Sequence, residues 1–172
     1  RMDTTSEISD FLKVRDELST ENKSLRFDAV TIGDLSDVAA EIWRARVHHV
    51  NLLEAPMGGG KTTLCNALIS TWGSNDTGSS PTFSLIDEHL GPQGKLYHVD
   101  AYRIENEEEA FDLGFEEYLE EGCPIWIEWG RNVQSFLPYR IGVVYITSQN
   151  EGHRNIEFYP DVDTREIVWN HE

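Results

Sequence analysis

A three-layer α/β fold with a mixed, partly antiparallel sheet, built around a phosphate-binding P-loop, is what this sequence predicts. Three observations carry it. Gly58-Gly59-Gly60-Lys61-Thr62-Thr63 lies between an apolar run, Val50 to Leu53, and a helix-forming run, Leu64 to Trp72, which is the strand, glycine loop and helix that a P-loop needs. Strand and helix patterns alternate up to that loop, and strand patterns dominate the C-terminal half. Pro124 to Trp129 is short and almost fully apolar, the mark of a strand buried on both faces.

The elements follow in order. Thr4-Thr5-Ser6-Glu7 has capping-box spacing, and Ile8, Phe11, Leu12, Val14 and Leu18 form a rough apolar stripe, so a short helix is expected over residues 5–19. Leu25 to Ile32 alternates as a strand does. Leu35, Val38, Ala39, Ile42 and Trp43 repeat at the spacing of a buried helix face, with Asp34 as candidate cap. After the P-loop helix, Gly73 to Ser80 reads as a turn-rich connector. Thr82 to Glu88 and Lys95 to Asp100 form a predicted hairpin around Gly91-Pro92-Gln93-Gly94. Residues 106–121 are helical in pattern and broken near Gly114, with Phe111, Leu113, Phe115, Tyr118 and Leu119 as the buried side. Arg140 to Thr147 and Arg154 to Tyr159 are set to pair across Asn150-Glu151-Gly152-His153.

The glycine loop carries the most chemistry. Phosphate oxygens must be met by converging backbone N–H groups, and only residues without Cβ let the chain wrap that closely. The helix behind the loop adds its unpaired N–H groups and the positive end of its dipole. Lys61 is placed to reach the β- and γ-phosphates, and the Thr62 hydroxyl to ligate Mg²⁺. The strict pattern opens with Gly where this chain has Ala55, a small residue that still permits the turn. The expected ligand is a nucleoside triphosphate.

Composition sets the frame. At 172 residues the chain can bury about 70% of its unfolded-state surface without staples, so residues 25–172 are read as a single domain and residues 1–24 as an N-terminal extension. No apolar run approaches the ~20 residues of a membrane span, and Arg1 to Asp10 lacks the apolar core of a signal peptide. Cys65 and Cys123 form no disulfide framework; the cytoplasm is the expected compartment. The formal net charge of −17 argues against a broad nucleic-acid face, because such affinity rests on Lys and Arg. Any link to nucleic acid is expected to run through another protein.

Two acids close predicted strands: Asp100 after His98-Val99, and Glu128 within Ile125-Trp126-Ile127-Glu128-Trp129. In α/β sheets ligands gather at the carboxyl ends of strands. A carboxylate there, across from Thr62, can hold Mg²⁺ directly or through water and can orient an attacking water.

Taken together, Gly58-Gly59-Gly60-Lys61-Thr62-Thr63, Ser80-Pro81-Thr82-Phe83, Tyr97-His98-Val99-Asp100-Ala101-Tyr102-Arg103, Leu113-Gly114-Phe115-Glu116-Glu117-Tyr118 and Ile127-Glu128-Trp129 resemble the TsaE (YjeE) family over residues 25–159. The ordered combination is far more specific than the P-loop alone. The resemblance implies a P-loop NTPase-like fold and the ATPase subunit of the bacterial machinery that makes threonylcarbamoyladenosine in tRNA, working with TsaB and TsaD partners and meeting tRNA only through them. It implies ATP cradled by Gly58 to Thr63, Mg²⁺ held by Thr62 and Glu128, and a catalytic set of Lys61, Asp100 and Glu128. Glu128 is also suited to activating water. Thr82 would face the γ-phosphate, and Trp129 would lie close to the site. Thr31 and the Gly152 to Arg154 turn would edge the nucleotide. The chain departs from the family at Ala55, at Pro56 where an acid is common, and at Gly130 where proline often follows Glu-Trp.

Residues 105–121 hold nine acids, and no Lys, Arg or His occurs from Ile104 to Gly130. That stretch is either a solvated helix face or a docking surface for a basic partner, which would gain on-rate from complementary charge. The functional expectation is an intrinsically slow Mg²⁺-dependent ATPase whose hydrolysis resets a protein assembly. A non-catalytic ATP sensor and a small-molecule kinase are the competing readings.

Overall fold

The computed structural model describes residues 24–56, 60–74 and 85–169. The expected helix over residues 5–19, together with Gly58, Gly59 and Thr82, lies outside the described residues.

Strand β1 (Leu25–Val30) stops short of Ile32. Its pairing shifts between Phe27 and Val30, where Ala29 turns into left-handed backbone at φ 53° and its N–H is taken by Asn155 Oδ1 at 3.0 Å. Asp34 does not cap the following helix as its position suggests. Its Oδ2 accepts from both the N–H and the hydroxyl of Thr31 at 2.9 Å and so closes the turn Ile32–Asp34, one step earlier.

Helix α1 (Leu35–Ala45) buries Val38, Ala39 and Ile42. It lies against helix α2 (Lys61–Trp72), which buries Leu64, Cys65, Leu68, Ile69 and Trp72. Trp43 joins the two: its ring stacks on Trp72 with centroids 4.6 Å apart, and its Nε1 donates to Leu68 O at 2.9 Å. Strand β2 (Val50–Glu54) feeds the P-loop. Strands β3 (Ile86–Gly91) and β4 (Gly94–Asp100) pair down to Gly91 opposite Gly94, leaving only Pro92-Gln93 as the hairpin loop.

The acidic segment forms helix α3 (Glu107–Asp112) and helix α4 (Phe115–Glu120), separated by Gly114 at φ 74°. Phe115 is fully buried, but Phe111 is 65% exposed and Leu113 43% exposed, contrary to the expected buried side. Ala110 takes the single inward position of α3, and the next residue on a helix points about 100° away. The break at Gly114 then resets the phase for α4.

Strand β5 (Ile125–Glu128) is buried along its length. Strands β6 (Arg140–Asn150) and β7 (His153–Asp163) extend further than their alternation suggests, with Glu151-Gly152 as the connecting turn. The described strands form one seven-stranded sheet in the order β1-β7-β6-β2-β5-β4-β3. The central four, β6, β2, β5 and β4, are parallel, and the flanking pairs are antiparallel. One face carries α1 and α2 over Leu53, Leu96, Trp126 and Phe158. The other carries α3, α4 and the turn Gly130–Phe136 over Leu52, Val99, Ile127 and Val143. Helices on both faces make the three layers. Among the described residues no helix is long and apolar enough to cross a membrane.

Candidate nucleotide site

Strand β2 delivers the chain to Ala55 and Pro56, and the loop is regained at Gly60, which sits at φ 85°, ψ 24° as the residue before α2. A side chain there is strained, since L residues seldom adopt that backbone; its Cβ would also lie 3.7 Å from Arg154 Nε. Lys61, Thr62 and Thr63 form the first turn of α2, where backbone N–H groups have no partner within the helix. These are the groups that can receive an anion.

Lys61 Nζ lies 4.3 Å from the centre of the Trp129 ring, a cation–π contact. Trp129 is held at φ 60°, ψ 44°, which is unusual for a bulky side chain. Its ring also meets Tyr102 with centroids 4.8 Å apart. Trp129 leaves the line of β5 and covers the ammonium of the loop lysine.

Asp100 and Glu128 stand side by side at the carboxyl ends of the parallel strands β4 and β5. The Ala101 N–H donates to Glu128 O at 3.0 Å, and the Tyr102 N–H to Asp100 Oδ1 at 3.1 Å. Asp100 is partly open, whereas Glu128 is buried. Its Oε2 is 2.6 Å from His98 Nε2. Cys65, from α2, lies against the same imidazole. Burial works against charge on His98, but the Cys65 sulfur and the Glu128 carboxylate outweigh it and push the imidazole up. Burial pushes the Cys65 thiol up as well.

Glu54 was not singled out by the sequence reasoning, although it is a strand-end acid like the other two. Its carboxylate is shielded beside the loop, with Oε1 lacking a hydrogen-bond partner. Burial pushes its carboxyl up to about 7, against the pull of Lys61, the Gly130 N–H and Arg131. That hydrogen bond needs a backbone N–H at position 130, which a proline there would not have.

A cleft of about 140 Å³ opens at the start of α2. Val30, Ile32, Gly60, Thr63, Gly152 and Arg154 are among its walls, so the Thr31 region and the β6–β7 turn do meet the loop at one place. Arg154 Nη1 donates to His153 O at 3.0 Å, while its Nε is buried without a partner.

A family model described as threonylcarbamoyl adenosine biosynthesis protein TsaE matches residues 31–156. The chain belongs to the TsaE family. It is 33% identical to the tRNA threonylcarbamoyladenosine biosynthesis protein TsaE of Bacillus subtilis over 114 residues, which are 66% of this chain and 71% of that protein. With the protein of the same description from Rickettsia prowazekii it shares 41% identity over 87 residues, 50% of this chain and 60% of that one. The match thus spans less than two thirds of the Rickettsia relative. The crystal structure of Bacillus subtilis YdiB superposes with a TM-score of 0.61 at 24% identity, covering 84% of this chain and 89% of that one, and shares the fold. This TsaE chain has a P-loop NTPase-like fold in which Gly60 to Thr63 open helix α2, Asp100 and Glu128 lie side by side at neighbouring strand ends, and Trp129 covers Lys61.

Proposed function

We propose that this chain is a Mg²⁺-dependent ATPase of tRNA N6-threonylcarbamoyladenosine biosynthesis, acting with TsaB- and TsaD-type subunits, in which hydrolysis of ATP resets the complex. The observation that carries the proposal is the placing of Lys61 and Thr62 in the first turn behind left-handed Gly60, with Asp100 and Glu128 abreast at the neighbouring strand ends.

The parts divide the chemistry. Gly58 to Thr63 receive the phosphates through backbone N–H groups, and Lys61 leaves the Trp129 ring to reach the β- and γ-phosphates. Thr62 and Glu128 would hold magnesium, with Asp100 in support. Hydroxyl and carboxylate oxygens suit that hard cation, which also keeps waters and substrate phosphates and needs no all-protein cage; among the described residues no cluster of three or more His, Cys, Asp or Glu offers one. When bound, magnesium neutralises charge on the β- and γ-oxygens. Glu128 accepts a proton from, or orients, the attacking water, and His98 fixes the direction of its carboxylate. Thr82 is assigned to the γ-phosphate side by its place in the Ser-Pro-Thr motif.

The test is phosphate release from ATP and Mg²⁺ by the protein alone, then with TsaB and TsaD, with and without tRNA. The expected result is slow turnover alone, a sharp rise with the pair, and loss of both in Lys61→Ala. ATP binding with no turnover under any condition would instead identify a sensor. The buried bond that already occupies one Glu128 oxygen is the feature that favours that second reading.

A further inference from the structure

Lys61 is met from two sides. The Trp129 ring covers its ammonium at 4.3 Å, and the Glu54 carboxyl at the end of β2 feels its charge. Alternation along β2 puts Leu53 on the face of α1 and α2 and Leu52 on the other, so Glu54 points the way Leu52 does. Glu128 and Asp100 are in register with Leu53 and stand on the opposite face. Glu54 is therefore no part of that strand-end pair. The groups that face it are Lys61 from α2, Arg131 and the Gly130 N–H from the turn after β5, and Tyr145, its register partner on β6.

Gly130 is where the two contacts on Lys61 join. Its backbone rests on Leu52, two residues before Glu54 on the same face, and a Cβ there would come within 2.7 Å of Leu52 Cδ2. Its N–H donates to the Glu54 carboxyl. That N–H belongs to the peptide leaving Trp129, whose plane is set by the Trp129 ψ of 44°. A bulky residue seldom holds left-handed backbone, and it does so where the surroundings fix it. The bond from Gly130 to Glu54 fixes it from one side, and the Asn132 N–H, which donates to Trp129 O at 3.0 Å, from the other. Glu54 thus holds the ring that shelters Lys61. Its own Oε1 is shielded and has no hydrogen-bond partner, an arrangement that a neutral carboxyl bears better than a carboxylate.

On the ATP-binding reading above, we propose that Glu54 is a positioning residue that keeps Lys61 under Trp129 in the nucleotide-free protein and takes up a proton as Lys61 is handed to the phosphates. While Lys61 stays, its charge pulls the carboxyl down against the upward push of burial. When Lys61 leaves and phosphate oxygens arrive, like charge replaces that support, and the ionised form becomes costly. ATP affinity should therefore fall as pH rises through about 7, where the carboxyl of the free protein titrates.

Titration calorimetry with ATP and Mg²⁺ at pH 6, 7 and 8, on wild type and Glu54→Gln, tests this. Gln keeps an acceptor for Gly130 but cannot ionise, and the nucleotide's own titration cancels in the comparison. The wild-type dissociation constant should match that of Glu54→Gln at pH 6 and exceed it about tenfold at pH 8. At pH 8, two buffers of different ionisation enthalpy should show about one more proton taken up by wild type than by Glu54→Gln. The indole N–H resonance of Trp129, assigned by its loss in Trp129→Phe, should stay in place in Glu54→Gln and move in Glu54→Ala. A ratio of dissociation constants that is the same at pH 6 and pH 8, in proteins that bind ATP, would overturn the role of Glu54 and leave the nucleotide reading intact. An unmoved resonance in folded Glu54→Ala would overturn the hold on Trp129. Wild-type protein that binds no ATP at pH 6 would sink the nucleotide reading itself, and the proton coupling with it.

Discussion

His98 Nε2 and Glu128 Oε2 meet at 2.6 Å across thirty residues of sequence, and both side chains are almost wholly removed from solvent. The pair joins β4 to β5 at the point where the two strands deliver Asp100 and Glu128. Removing one partner of a buried charged pair strands the other, so His98→Ala should cost about 3–5 kcal/mol of stability, with His98→Gln costing less. Urea denaturation measures both. A loss below about 1 kcal/mol for His98→Ala would mean that the pair is not closed in solution.

Lys61→Ala and Glu128→Ala should separate binding from turnover. Lys61 makes a partly exposed cation–π contact with Trp129, worth about 0.5–1 kcal/mol, so its loss should scarcely move the melting temperature. Affinity for ATP should fall about 100-fold, as removal of a charge paired with phosphate implies. Glu128→Ala should lose turnover more than affinity. Near-normal phosphate release by either variant in the presence of the partner subunits would count against the assignment.

Glu54 should make stability depend on pH in one direction. Its folded carboxyl titrates at about 7 against an ordinary 4.5, so the stability it contributes is fully present below pH 4.5. That contribution is lost as pH rises through 7, where a charge must be held in a shielded place. Relative to Glu54→Gln, the wild-type protein should therefore lose on the order of 2–3 kcal/mol between pH 5 and pH 8. Denaturation of both proteins at pH 5, 6.5 and 8 gives the comparison, and a difference that does not change with pH refutes it.

The acidic helices offer a kinetic prediction. Glu107, Glu108 and Glu116 are exposed, beside the exposed ring of Phe111. If this face docks a basic partner, reversing the three charges to Lys should slow association with the partner subunits about tenfold at low salt and flatten its salt dependence. Stopped-flow or surface-based association rates at two ionic strengths decide it. Rates that match wild type at both would leave α3 and α4 as a solvated face only.

Much of this was legible in the sequence because the chemistry constrains it locally. Gly60-Lys61-Thr62 cannot be read without the backbone freedom that a phosphate cradle demands, and the apolar run ending in Glu128 announces a strand buried on both faces. What was not legible depends on elements meeting in space. Glu54 looks like an ordinary strand-end acid until the Gly130 N–H arrives from the segment after β5. The Cys65, His98 and Glu128 cluster needs α2, β4 and β5 to converge. Phe111 and Leu113 belong to the expected buried side, but the segment ahead of the break at Gly114 forms a helix of only six residues, whose one inward position is taken by Ala110.

The place of β2 in the sheet has a consequence for how the protein is made. Its neighbours are β5 and β6, with Leu52 set against Ile127 on one side and Val143 on the other. Both partners are synthesised long after the loop that β2 supports. A growing chain therefore carries Gly60, Lys61 and Thr62 outside the ribosome well before the strands that hold them in place exist, and parallel pairings over such separations form slowly. On the ATP-binding reading proposed above, phosphate binding should switch on only when β6 has emerged.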